Sequence, residues 1–161
     1  MTNSQTQELV DYRFESVVPH TGTMVLLDQI DYWNDHELHA SVTVREDAPF
    51  ADEQGIPAYV GIELMAQTIA AFGGCRARHA GEPVKIGFLV GSRRYTCSHS
   101  YFPVGARIEV QIKEIIRGEN GLCVFECNLR GAGEHAAITA SANINVFQPD
   151  DPEQFLQGAT L

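Results

Sequence analysis

Pro57-Ala58-Tyr59-Val60-Gly61-Ile62-Glu63-Leu64-Met65-Ala66-Gln67-Thr68-Ile69-Ala70-Ala71 is the stretch that decides how the rest of this chain is read. It is apolar or small on nearly every side, which predicts a helix enclosed by the fold rather than laid on its surface. Pro57 suits the first helical turn, where a missing N–H costs little. Glu63 lies in the next turn, with Gln67 one turn further along the same stripe. Tyr59, Val60, Ala70 and Ala71 surround that stripe, so the carboxylate is expected to have no solvated face. Burying a charge costs several kcal/mol unless it is paired or hydrogen-bonded. Such a carboxylate is either tied to a neighbouring strand or used.

The flanks read mainly as strands. Residues 24–33 and 37–44 form two, joined by Asn34-Asp35, and Leu38, Ala40, Val42 and Val44 mark the buried face of the second. A polar loop, 45–56, leads into the helix, which is expected to reach about Arg78 and to loosen at Gly73-Gly74. Residues 85–97 then read as a strand. Ile108, Val110 and Ile112 alternate in the next, and Ile115-Ile116 breaks the alternation as a bulge would. Glu119-Asn120-Gly121 is a hairpin signal, and 122–130 and 136–147 complete the set. A short helix over 7–14, with Thr6 as its N-cap, is expected before all of these. The order predicts an α+β fold, one long helix wrapped by a curved antiparallel sheet. Such a sheet has edges, and pairing with a second chain covers them.

At 161 residues the chain fits a single domain, with a core over about 8–147 between a polar N-terminal and an acidic C-terminal tail. A net charge of −10 argues against nucleic-acid binding, which depends on neutralising phosphates with Lys and Arg. No run approaches the roughly 18 apolar residues of a membrane span, and residues 1–8 are too polar for a signal peptide. The cytoplasm is the expected location. Cys75, Cys97, Cys123 and Cys127 lack metal-ligand spacing and read as free core thiols, so no metal site is expected.

Three segments together resemble a known family. Pro57 to Gln67 is similar to the central-helix motif Pro-Gly-Val-Leu-x-x-Glu-Ala-Met-Ala-Gln of the hotdog-fold 3-hydroxyacyl-[acyl-carrier-protein] dehydratases. Val18-Pro19-His20-Thr21-Gly22-Thr23-Met24-Val25-Leu26-Leu27-Asp28 resembles their Leu-Pro-His-x-x-Pro-Phe-Leu-Leu-Val-Asp. Gly87-Phe88-Leu89-Val90-Gly91-Ser92-Arg93-Arg94-Tyr95, followed by Pro103-Val104-Gly105, looks like their strand and Pro-x-Gly turn. The wording is nearest to a branch of predicted dehydratases linked to aryl-polyene-type lipid pigments. One departure matters: the family's catalytic histidine falls fourteen residues before the glutamate, where this chain has Pro49, and residues 40–78 hold no histidine.

The resemblance implies a hotdog fold and a dehydratase that acts on an acyl group carried on 4′-phosphopantetheine, with no cofactor of its own. Glu63 carries over as the acid, and a desolvated carboxyl favours its protonated form. His20 is the best remaining base, its alternative being a histidine that caps a backbone carbonyl. The far His79 lies roughly 24 Å along the helix from Glu63, and His36, His39, His99 and His135 are expected to face solvent. The backbone amide of Ala58 is implied as an oxyanion donor, with Tyr59 and Gln67 beside the substrate. Arg93 and Arg94, with Arg76, Arg78 and Lys85, are candidates for docking an acidic acyl carrier protein; strand alternation would turn Arg93 and Arg94 to opposite sides. Other readings are a non-catalytic or half-site subunit paired with a related hotdog chain, and an acyl thioesterase in which Glu63 activates water. The dimer can be of like or unlike chains.

Overall fold

The structure, a computed structural model, describes residues 12–84, 87–149 and 157–158, with Phe88 and Leu89 described by their backbone. The expected helix over 7–14 and the acidic tail fall largely outside these residues; within them, a single helical turn, α1 (Phe14–Val17), comes first. The strands are β1 (Gln29–Trp33), β2 (Glu37–Thr43), β3 (Ile56–Pro57), β4 (Phe88–Cys97), β5 (Tyr101–Phe102), β6 (Arg107–Arg117), β7 (Leu122–Gly131) and β8 (Thr139–Phe147), and the long helix is α2 (Gly61–His79). Six strands form one antiparallel sheet in the order β1-β2-β6-β7-β8-β4, while β3 and β5 pair separately. The α+β arrangement is as expected.

Local chemistry accounts for most of the sheet. Leu38, Ala40 and Val42 of β2 and Ile108, Val110 and Ile112 of β6 are buried on the face turned toward α2. The Glu119-Asn120-Gly121 turn joins β6 to β7, with Gly121 at φ +88, a value an L-residue adopts only with strain. The register slips between Glu114 and Ile116, and Ile115 and Ile116 emerge exposed at that bulge. Three boundaries differ from expectation. β1 starts at Gln29, because Gly22–Met24 winds into a 3₁₀ turn. β8 starts at Thr139, leaving Ala136 exposed after a second such turn. Pro57 is not in the helix: at ψ 141 it is extended and pairs with Tyr101, and a 3₁₀ turn, Ala58–Val60, leads into α2.

The helix runs unbroken through Gly73-Gly74. It ends in a Schellman arrangement, with Gly81 at φ +72, its N–H on the Arg78 carbonyl and the Glu82 N–H on that of Ala77. Leu64, Met65, Thr68, Phe72 and Cys75 are buried against the sheet, and the Phe72 ring meets Phe125 edge-on at 5.8 Å. All-round enclosure is not what forms, however. Glu63, Ala66, Ala70 and Gly73 make a stripe that the sheet leaves partly open. The Glu63 side chain keeps 40% of its surface, so the expectation of a carboxylate with no solvated side is corrected.

All four cysteines are free thiols. Burial pushes those of Cys75 and Cys127 up to about 12, which keeps them protonated and inert at neutral pH.

The turn α1 is held tightly against α2. A methyl group on Gly74 would lie 1.9 Å from the Val17 carbonyl oxygen, and the Arg78 guanidinium donates to the Ser16 carbonyl at 2.8 Å. Only a residue without Cβ allows that approach. Gly74→Ala is therefore expected to lower stability by about 1–3 kcal/mol, read as an earlier midpoint in urea; an unchanged midpoint sinks this packing account.

Candidate active site

Glu63 is in the first turn of α2. His20 comes from the segment between α1 and the 3₁₀ turn at Gly22–Met24, and its Nε2 stands 3.6 Å from Glu63 Oε1. That is longer than a hydrogen bond, though catalytic contacts often tighten only when substrate binds. The ring is largely enclosed, and its Nδ1 is buried without a partner among the described residues.

Gln67 explains why the two meet. It is fully buried, and its Oε1 accepts the Leu26 N–H at 2.9 Å. Its Nε2 donates to the Met24 carbonyl at 2.7 Å and to Glu63 Oε1 at 3.0 Å. The segment that carries His20 is thus fastened to α2 on both sides, by Gly74 and Arg78 before it and by Gln67 after it. The sequence placed Gln67 beside the substrate; the structure makes it the anchor of both site residues.

The pair opens onto a cavity of about 250 Å³. Glu63, Ala66, Ala70 and Gly73 of α2 form one wall, with Phe125 and Val146 of the sheet opposite. Arg117, Cys123 and Gln148 are also on its lining. Arg117 makes a bidentate contact with Glu114, at 3.1 and 2.9 Å. A larger, shallower depression of about 830 Å³ lies on the outer face of the sheet. The smaller cavity is the candidate site, because the outer one is shallower and more polar and its Arg107 and Arg130 already pair with Asp31 and Glu109.

Other sequence-predicted positions fare differently. The Ala58 N–H, the oxyanion donor that the resemblance implies, donates to the Ser100 carbonyl at 2.9 Å within this chain. The Ala58 carbonyl accepts the Tyr95 hydroxyl. Burial, with Cys97 alongside, pushes that phenol well above its ordinary range, so it stays a donor. Tyr59, expected beside the substrate, is 69% exposed and is not on the lining of the cavity within this chain. Arg93 and Arg94 are both exposed, and the register of β4 slips between Arg93 and Thr96, with Arg94 at φ 54. The alternation expected to part them does not hold through that bulge. Arg76 contacts Glu114 at 3.5 Å and Arg78 holds Ser16, so neither is a free docking charge; Lys85 is outside the described residues.

The comparisons agree with this architecture. A chain of the dehydratase heterocomplex ApeI:P from Xenorhabdus doucetiae matches with a TM-score of 0.83 at 26% identity, over 93% of this chain and 99% of that chain. A hypothetical thioesterase protein with coenzyme A from Streptococcus pneumoniae TIGR4 matches with a TM-score of 0.55 at 10% identity, over 74% of this chain and 84% of that one. The PaaI protein of E. coli, from the phenylacetic acid degradation operon, matches with a TM-score of 0.55 at 9% identity, over 73% and 80%. At such identities the last two show the hotdog fold alone. No curated protein matches the sequence. Among the described residues no helix is long and apolar enough to cross a membrane. The ApeP-like family model, described as ApeP dehydratase, matches residues 12–157, and the chain belongs to that family.

Proposed function

We propose that this chain dehydrates a 3-hydroxyacyl thioester to the 2-enoyl thioester, with the acyl group on the 4′-phosphopantetheine arm of an acyl carrier protein. The observation that carries this reading is the His20–Glu63 pair at 3.6 Å on the wall of a narrow, largely apolar cavity. His20 takes the proton from C2, and that bonding pair becomes the new C2–C3 π bond. The C3–O bond breaks, and Glu63 protonates the departing hydroxyl, which leaves as water. Each such proton transfer contributes about 10²–10⁴ in rate. Arg93 and Arg94, both exposed, are the cations assigned here to meeting an acidic carrier protein.

A second reading is favoured by the solved heterocomplex: the chain works as one subunit beside a related dehydratase chain. The engaged amide of Ala58 supports it, since an oxyanion donor would then come from elsewhere. One experiment separates the readings. The chain, alone and mixed with a related dehydratase chain, is given a 3-hydroxyacyl carrier protein and the product is weighed by mass spectrometry. Loss of water by the chain alone supports self-sufficient catalysis, and loss only in the mixture supports the subunit reading. Free acid would indicate a thioesterase instead. Whichever preparation is active, His20→Ala should slow it by about 10²–10⁴-fold, and full activity in that variant would remove His20 from the mechanism.

A further inference from the structure

We infer that Gly73 sets the length of acyl chain that the cavity admits, an inference that rests on the dehydratase reading above. Glycine is the costliest residue in a helix interior after proline, so each of the three glycines in α2 needs a reason. Two have one. A Cβ on Gly61 would lie 2.3 Å from the Tyr95 hydroxyl, and a Cβ on Gly74 would run into the Val17 carbonyl at 1.9 Å. At Gly73 nothing packs so closely. The nearest atom to a Cβ there is Gln148 Nε2, at 3.8 Å, an ordinary contact. What Gly73 faces is the cavity.

Its position gives that space a use. Gly73 is ten residues beyond Glu63 on the stripe that continues through Ala66 and Ala70, roughly 15 Å along the helix axis. Every member of the stripe after Glu63 is glycine or alanine, and Ile69 and Phe72 of α2 flank it on the same lining, so the low part of the wall leads away from the reacting pair along the stripe itself. Gln148 stands beside Gly73 at the end away from Glu63, and Arg117 is on the same lining, anchored by Glu114. The volume, about 250 Å³, is below that of pockets for bulky ligands and suits one slender chain. A side chain at Gly73 occupies that end of the cavity, roughly 15 Å along the helix from Glu63, and so shortens the space without touching Glu63 or His20.

The test uses the preparation that proves active, alone or with its related chain, on 3-hydroxybutanoyl and 3-hydroxytetradecanoyl carrier proteins. Gly73→Leu should lower kcat/KM for the tetradecanoyl substrate by about tenfold or more and leave the butanoyl value within about twofold. Val146→Phe fills the same cavity from the sheet and should do the same, so the test survives if one variant folds poorly. Gly73→Ala should keep the wild-type preference. Equal losses on both substrates, no loss on either, or a Gly73→Leu effect traced by size-exclusion chromatography to a changed assembly would overturn the inference. Wild-type protein inert on both substrates would instead remove the dehydratase reading beneath it.

Discussion

Glu63→Gln is expected to reduce dehydration by about 10²–10⁴-fold while shifting the melting temperature by no more than about 2 °C. The two outcomes separate because of where Glu63 sits. Its side chain is partly solvated, and its protein contacts are the Gln67 amide at 3.0 Å and the long approach of His20. A glutamine oxygen accepts the same bond from Gln67, so the packing is kept. What is lost is a group able to hand over a proton. The measurement is kcat on a 3-hydroxyacyl carrier protein alongside a thermal scan. Near-normal turnover would make Glu63 a structural carboxylate, and a collapsed melting temperature would make it part of the scaffold.

The largest effect on stability is expected at Gln67. Gln67→Leu keeps the bulk but removes three hydrogen bonds, which leaves the Leu26 N–H and the Met24 carbonyl without their partner. Buried groups deprived of a partner cost about 1–3 kcal/mol each. A total near 3 kcal/mol corresponds to a fall of about 6–12 °C in melting temperature for a chain of this size. Activity should fall too, because the same residue orients Glu63 and fastens the segment that brings in His20. A variant that melts normally yet loses activity would mean that Gln67 contacts substrate rather than holding the fold together.

Local patterns were legible where the physics is local. The alternation in β2 and β6, the Asn120-Gly121 turn and the bulge at Ile115-Ile116 depend on near neighbours, and all are in the structure. Element ends were less legible. Pro57 is extended because Tyr101, far along the chain, pairs with it, and no window around Pro57 contains that information. The polarity of α2 told that it would be enclosed but not which stripe the sheet would miss, and so Glu63 is more open than expected. Glu63 and His20 could be brought together only by resemblance, since they are 43 residues apart. The reason they meet is Gln67. Its spacing from Glu63 was visible, but its bonds to Met24 and Leu26 depend on tertiary packing. Likewise Gly73 and Gly74 look alike in sequence, and only the approach of Val17 distinguishes them.

The most direct test is a structure of the active assembly with a non-hydrolysable 3-hydroxyacyl-pantetheine analogue bound. The account predicts the acyl chain in the cavity beside α2, C2 within about 3–3.5 Å of His20 Nε2 and the C3 oxygen in hydrogen-bond contact with the Glu63 carboxyl. An acyl chain held elsewhere, or a C2 atom facing some other base with His20 turned away, would contradict it.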